Sequence, residues 1–163
     1  MRQSEEKLKR LSRETHLAGI LEMSEDAIVS MDEHQRIRLF NHGATVIFGY
    51  SQDEVLGQPL GILLPSRLVD VHQQHVRSFA GSPEASRRMG ERREVVGRRK
   101  DGTEFSAEVS ISKLTVRGET VYTAILRDIT QRKQTEEALL VKTGQLQVIT
   151  ETMLAFLETE DWR

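Results

Sequence analysis

The stretch that decides the fold runs from Gly97 to Thr130 and reads GRRKDGTEFSAEVSISKLTVRGETVYTAILRDIT. Within it, Asp101-Gly102 stands between two runs of strand-forming residues, and an Asp-Gly pair tolerates the positive φ angles of a tight hairpin turn. After the turn, polar residues alternate with the apolar residues Phe105, Ala107, Val109 and Ile111. A period of two gives a strand one apolar and one polar face, so the stretch predicts a β-hairpin with one buried side.

A second turn, at Arg117-Gly118-Glu119, leads into a third strand that is apolar on both faces. One side carries Tyr122, Ala124 and Leu126, and the other carries Val121, Thr123, Ile125 and Ile129. A strand of this kind must be covered on both faces. We therefore predict a core on one side of the sheet and helices on the other.

The composition excludes several classes of protein. With 25 acidic and 23 basic residues the net charge is −2, which gives no overall attraction for nucleic acid or an anionic membrane. The chain has no cysteine, which excludes disulfides, thiolate metal sites and cysteine nucleophiles. Its apolar runs are too short to cross a membrane, and its first residues, MRQSEEKLKR, are too charged for a signal peptide. We expect a cytoplasmic segment that contacts neither nucleic acid nor membrane.

Helices and strands are also predicted upstream of the hairpin. Residues 2–22 are rich in helix formers and carry a narrow apolar seam. Short strands are predicted at 27–31 and 37–40, joined by a polar turn. A longer helix is predicted from about Arg67 to Phe79, and residues 81–88 are predicted as a loop.

Two short helices are predicted between these strands and the longer helix. Asn41 can cap the first, and Gly49 supplies its left-handed exit. Ser51 and Glu54 have the spacing of a reciprocal capping box for the second.

Beyond the third strand, residues 131–163 return to helix composition. Their apolar residues follow a seven-residue register: Leu139, Leu146, Ile149, Met153 and Phe156. Narrow seams of this kind favour self-association, so we expect a homodimer through residues 1–22 and 131–160. Because no cap follows the stripe at Asp161-Trp162-Arg163, we also expect the chain to be a segment of a longer polypeptide.

Several motifs, taken together, resemble those of a PAS sensor domain over residues 24–130. They are Asp26-Ala27-Ile28, Asn41 followed by Phe48-Gly49-Tyr50, Glu54 and Gly57, GRRKDGTEF at 97–105, and Asp128-Ile129-Thr130. The chain is most similar to the PAS modules of bacterial sensor histidine kinases and cyclic-dinucleotide signalling proteins.

The resemblance implies an α+β fold, in which a five-stranded antiparallel sheet carries short helices over one face and encloses a small pocket. It also implies flanking amphipathic or coiled-coil helices at residues 1–23 and 131–163, on either side of the PAS domain at 24–130. Such a module is not an enzyme. Its parent is a multidomain protein, such as a histidine kinase of a two-component system or a cyclic-dinucleotide enzyme, with a downstream effector domain.

The pattern and the resemblance give candidate site residues. The candidates for the pocket lining are Ile28, Ser30, Leu39, Ile47, Leu63, His72, Val76, Phe79, Val109, Ile111, Tyr122 and Ala124. Asp128 and Thr130 are the candidates for signal relay, because a strand-end carboxylate and hydroxyl can cap the helix that follows.

The sequence names no cofactor. Flavin photosensors of the family need a reactive cysteine, so a covalent flavin adduct is excluded. The positions that carry the iron ligand in the family's haem sensors fall at Arg87 and near Ser78-Phe79, and neither holds histidine. His72 and His75 share the pocket-facing stripe and could ligate iron, but the pair lacks a further ligand for zinc, so no metal site is predicted.

The basic run before the hairpin contains Arg87, Arg88, Arg92, Arg93, Arg98, Arg99 and Lys100. Because no aromatic residues are interleaved for base stacking, a solvated sheet edge is the better interpretation. No phosphate loop or catalytic triad is present.

Three functions remain open. The first is a regulatory module that detects a small ligand or the state of a partner, and relays it through the last strand and the outgoing helix of a homodimer. The second is a constitutive dimerisation and spacer domain without a ligand. The third is a haem-based gas or redox sensor.

Overall fold

The computed structural model describes residues 2–83, 86–89, 95–116 and 118–159. The basic residues Arg92 and Arg93, the turn residue Arg117 and the chain end at Asp161-Trp162-Arg163 lie outside these ranges. The described residues form two compact units, one that ends at Asp128 and one that begins at Ile129.

The first unit contains α1 (Arg2–Met23), β1 (Ala27–Met31), β2 (Ile37–Phe40), α2 (His42–Phe48), α3 (Gln52–Val55), 3-10 turns at Leu60–Leu63 and Ser66–Leu68, α4 (Val69–Ala80), β3 (Ser86–Met89), β4 (Val95–Arg98), β5 (Glu104–Val116) and β6 (Glu119–Asp128). The second unit contains the helix α5 (Thr130–Thr159).

The strands form one antiparallel sheet in the order β2-β1-β6-β5, with β3 and β4 both on the far side of β5. β3 pairs with residues 109–112 of β5 and β4 pairs with residues 104–107. The two segments therefore share one strand position, and the sheet has five positions, as predicted.

β3 corrects the prediction that residues 81–88 form a loop. Ser86 pairs with Ser112 of β5, and Met89 pairs with Val109. The run Ser-Arg-Arg-Met has no apolar alternation, so its sequence carries no strand signal. It pairs because the edge of β5 offers free backbone donors and acceptors, a tertiary effect that local propensity does not report.

The two turns of the β4-β5-β6 meander are built as the sequence predicted. Gly102 has φ 88° and Gly118 has φ 84°. Glycine adopts such positive φ angles readily, whereas residues with a side chain adopt them only at a cost in energy. In the first turn, the backbone N–H of Arg99 donates to the carbonyl of Thr103 at 2.8 Å. The Asp101 carboxylate accepts from the backbone N–H of Thr103 at 2.9 Å, which fixes the turn from within.

The inner face of the sheet packs against the short helices. Its buried residues include Val29, Phe105, Ala107, Val109 and Leu126, in one cluster with side chains from α2, α3 and the 3-10 turn. At the other end of the sheet, a smaller cluster joins Met31, Phe79 and Tyr122.

The outer face of β6 departs from the prediction that both faces of this strand are buried. Val121 is 37% exposed and Ile125 is 46% exposed in the single chain. On the neighbouring strand, Leu114 is 66% exposed. The sequence pattern identified an apolar outer face correctly, but a single chain leaves part of it open to solvent.

Asn41 joins three elements of the first unit. Its Oδ1 accepts from the backbone N–H of Ala44 at 2.9 Å, which is the predicted helix cap, and from that of Ile28 at 2.8 Å. Its Nδ2 donates to the carbonyl of Leu21 at 2.8 Å and to that of Asp26 at 3.1 Å. One buried amide thus holds the end of α1, the start of β1 and the start of α2 together.

Gly43 is required at this junction for lack of space. A Cβ at residue 43 would lie 2.5 Å from the carbonyl oxygen of Asp26 and 2.6 Å from that of Ser24. Both are backbone atoms, so neither can move aside cheaply.

The helix α5 has exposed apolar residues between 139 and 149, among them Leu139, Leu146 and Ile149 of the predicted heptad register. The side chains of the other two heptad residues, Met153 and Phe156, lie outside the described part. Within the described residues, no helix has both the length and the apolar character needed to span a bilayer.

The ion pair between Glu54 and Lys100 predicts a pH-dependent contribution to stability. Hydrogen bonding from Lys100 and then from the Ser51 backbone lowers the pKa of Glu54 from 4.5 to about 2. Because the folded-state pKa is depressed, this contribution is present above pH 4.5 and is lost as pH falls through about 2. We expect Glu54→Gln to lower the melting temperature near pH 7, and the difference from wild type to shrink over that interval.

Thermal denaturation followed by circular dichroism from pH 7 to acid measures this difference. Glu6→Gln, an exposed carboxylate of α1, is the charge-matched control and should give a small difference throughout. A Glu54→Gln difference that stayed constant down to pH 2 would contradict the assignment.

Candidate functional site

The first unit contains a half-open cavity of about 370 Å³ next to α4. Three segments form its walls: the β1-β2 turn at Glu33, His34 and Gln35, the chain at Pro59, Leu60, Gly61 and Leu64, and one stripe of α4. That stripe consists of Val69, His72, Gln73, Val76, Arg77 and Ala80. From the sheet, Tyr122 of β6 completes the lining.

The structure places three of the predicted pocket residues on this cavity: His72, Val76 and Tyr122. Six others face the same side of the sheet but belong to the packed core: Ile47, Leu63, Phe79, Val109, Ile111 and Ala124. Phe79 packs against Tyr122 with ring centroids 6.3 Å apart, so it lies behind the cavity wall. These six residues therefore belong to the core clusters and not to the lining of the cavity.

The remaining three candidates, Ile28, Ser30 and Leu39, lie on the opposite face of the sheet. Ser30 pairs with Leu39 on one side and Thr123 on the other, and its hydroxyl lies 2.9 Å from that of Thr123. The core-facing residues of β1 are Ala27, Val29 and Met31. The sequence does not show which way β1 faces, because all five of its residues are buried.

Tyr122 is the most buried polar residue on the cavity wall, with 8% of its surface exposed. Within the described ranges its hydroxyl has no hydrogen-bond partner, and the oxygen is not one of the fully buried unpaired atoms, so it meets the open space of the cavity. Burial, and secondarily the charge of Glu33, raises the pKa of Tyr122, so the hydroxyl stays protonated and can donate. One Glu33 oxygen accepts from the backbone N–H of Thr120 at 3.1 Å.

His72 and His75 do not share the cavity as the sequence predicted. His72 is half-buried and lines it, whereas His75 is exposed and does not. Burial, with a smaller effect of His75, lowers the pKa of His72, so its imidazole is neutral at pH 7. It can therefore donate one hydrogen bond and accept another.

Two further polar residues of the cavity were not identified from the sequence. Arg77 brings a guanidinium to the lining from the last turn of α4, with no ion pair to any residue in the described part of the chain. Gln35 adopts a left-handed conformation, φ 58°, that costs energy for a residue other than glycine. The predicted stripe gave no signal for Arg77, because positions i+1 from Val76 and i+5 from His72 do not lie on the same face of a helix.

The relay candidate Asp128 lies at the end of β6 and is held by Arg99, a residue whose sequence pattern predicts only a solvated sheet edge. Nη2 of Arg99 lies 2.5 Å from Oδ2 of Asp128, and Nη1 donates to the carbonyl of Ile47 at the end of α2. The guanidinium also lies 4.2 Å from the ring centroid of the core residue Phe105. Thr130, the other relay candidate, is the first residue of α5.

No group of three or more His, Asp or Glu side chains with metal-site geometry occurs in the described residues. His34 and His72 are the cavity residues whose imidazoles could ligate haem iron, and nothing else in the lining distinguishes a haem site from any other pocket.

Comparison with known proteins agrees with this geometry. The family model described as the PAS fold matches residues 15–129. The crystal structure of the PAS domain of an HTR-like protein from Haloarcula marismortui superposes with a TM-score of 0.62 at 26% identity, covering 79% of this chain and all of that one.

Two curated relatives are a sensor protein and a histidine kinase. The chain is 35% identical over 128 residues to the sensor protein FixL of Bradyrhizobium diazoefficiens, covering 78% of this chain and 25% of FixL. It is 36% identical over 124 residues to the cell-division control histidine kinase PdhS of Brucella abortus, covering 76% of this chain and 12% of PdhS. The chain thus spans a quarter or less of the length of these relatives. Because the family model covers more than half of its residues, the chain belongs to the PAS family.

Proposed function

We propose that this chain is the sensory module of a bacterial signal-transduction protein. It detects a small ligand in the cavity beside α4 and passes the change through β6 to α5. The module itself catalyses no reaction, and a downstream effector domain, such as a histidine kinase, produces the output in the cytoplasm.

A single observation carries this proposal: one strand joins the cavity to the outgoing helix. Tyr122 lines the cavity near one end of β6, and Asp128 is at the other end of the same strand. The helix α5 begins two residues later, at Thr130. A ligand that moves Tyr122 therefore acts on a strand whose far end is fixed by Arg99 and leads directly into the helix.

We further propose that the module works as a homodimer. The apolar residues left exposed on α1, on α5 and on the outer face of β6 are the support for this, because a second copy would remove them from water. The register of α5 matches a coiled coil, in which the two helices would rotate or slide together.

Native mass spectrometry and absorbance spectroscopy of the purified protein test the sensory function. We expect a co-purified small molecule that is released on denaturation. Val76→Phe, which fills the cavity from α4, should abolish it. Val71→Phe, on the exposed side of the same helix, should retain it.

The other two functions make different predictions in the same experiment. A constitutive spacer would give a dimer without a co-purified molecule, and Val76→Phe and Val71→Phe would give the same result as wild type. A haem sensor would give a Soret band that His72→Ala removes. Either result would overturn the proposal of a non-haem ligand sensor.

A further inference from the structure

We infer that the cavity beside α4 takes a small organic carboxylate with an apolar body of about phenyl size, bound by the Tyr122 hydroxyl and the Arg77 guanidinium. This inference rests on the proposed sensory function and specifies the chemical class of its ligand.

The hydroxyl of Tyr122 is the first reason. The residue lies on the cavity wall with 8% of its surface exposed, and its hydroxyl has no hydrogen-bond partner among the residues that the structure describes. The hydroxyl oxygen is not one of the fully buried unpaired side-chain atoms of those residues, so it meets the open space of the cavity. It is therefore free to donate a hydrogen bond to an acceptor oxygen of a ligand.

The charge of the lining is the second reason. Arg77 is a cation without an ion pair in the described ranges, and a guanidinium fork matches a carboxylate in shape. The one acidic lining residue, Glu33, already directs an oxygen to the Thr120 backbone. His72 contributes no positive charge at neutral pH.

The size and the apolar walls are the third reason. Most of the remaining wall is apolar and is formed by residues such as Leu60, Leu64, Val69 and Val76. The volume of about 370 Å³ lies near the lower end of the range of roughly 300–1,000 Å³ that is typical of small-molecule sites. A small molecule with one anionic end and one apolar end fits both halves of the lining.

Isothermal titration of the full chain with three probes of similar size and different charge tests the inference: phenylacetate, phenylacetamide and 2-phenylethylamine. We expect phenylacetate to bind most tightly and the amine least. Tyr122→Phe and Arg77→Gln should each weaken phenylacetate about tenfold, as expected for losing one charge-assisted hydrogen bond. Arg77→Gln should change phenylacetamide binding much less.

Two controls keep the result interpretable. Arg13→Gln, an exposed arginine of α1, removes the same charge away from the cavity and should leave phenylacetate binding unchanged. Glu33→Gln should tighten the binding of phenylacetate, because the change removes the one negative charge among the lining residues. Melting curves establish that each variant is folded.

The inference fails if the amine binds as well as the acid, if Arg77→Gln has no effect, or if none of the three probes binds. Its failure is distinguishable from that of the sensory function. If a co-purified molecule were lost in Val76→Phe while the probes failed as described, the proposal of ligand sensing would stand and the carboxylate class would be excluded.

Discussion

Replacing Asn41 with alanine should destabilise the first unit by about 3–7 kcal/mol. The change removes a helix cap worth about 1 kcal/mol and leaves two groups, the buried N–H of Ile28 and the carbonyl of Leu21, without their partner, at about 1–3 kcal/mol for each. The carbonyl of Asp26 still accepts from the Ser24 hydroxyl at 3.3 Å. Urea denaturation followed by circular dichroism measures the loss. Ser51→Ala, at an exposed cap of the next short helix, is the matched control and should cost under about 1 kcal/mol.

Asn41→Asp separates the capping role from the junction role. Aspartate caps helices as well as asparagine does, so a residue that only caps α2 would tolerate the change. Here the second carboxylate oxygen would face the carbonyls of Leu21 and Asp26, which accept from the amide at 2.8 and 3.1 Å. We expect a loss as large as that of Asn41→Ala at pH 7. Part of it should be recovered in acid, where the introduced carboxyl binds a proton and can donate again.

Wild-type stability for Asn41→Asp would show that the amide donors contribute nothing. The account of the junction between α1, β1 and α2 would then be wrong.

The second large effect should be on signalling and not on stability. In a fusion of residues 1–163 to a histidine kinase core, we expect Asp128→Ala to abolish the response to the ligand while the domain stays folded. Arg99→Met should do the same, because it keeps the side-chain length near Phe105 but loses the ion pair that holds the end of β6. Kinase autophosphorylation with and without ligand measures the response.

Arg67→Met is the control for that experiment. It breaks another surface ion pair, with Glu104, at the start of β5 and away from the end of β6. It should leave switching intact. If Asp128→Ala switched normally, the strand end would have no relay role.

Much of the fold could be predicted because local and tertiary preferences agree. The Asp101-Gly102 turn, the alternation along β5 and the Asn41 and Gly49 caps each specify their own geometry. β3 could not be predicted because its pairing is supplied by the edge of β5 and not by its own residues.

The site was harder to predict than the fold for a physical reason. A strand that is buried on both sides, such as β1, gives no signal for which face meets the cavity, so Ile28 and Ser30 were placed on the wrong face. The role of Arg99 depends on contacts with Ile47 and Asp128, at sequence separations of 52 and 29 residues. His72, Val76 and Tyr122 do line the cavity, and their orientation could be predicted because a helical stripe and a strand face each report which way a side chain points.

Hydrogen–deuterium exchange of residues 119–135, compared between wild type and Val76→Phe, tests most directly whether the cavity and the outgoing helix are coupled. Filling the cavity should change amide exchange severalfold both near Tyr122 and at the start of α5, while Val71→Phe leaves this segment unchanged. A change confined to α4 and the residues around the cavity would contradict transmission through β6.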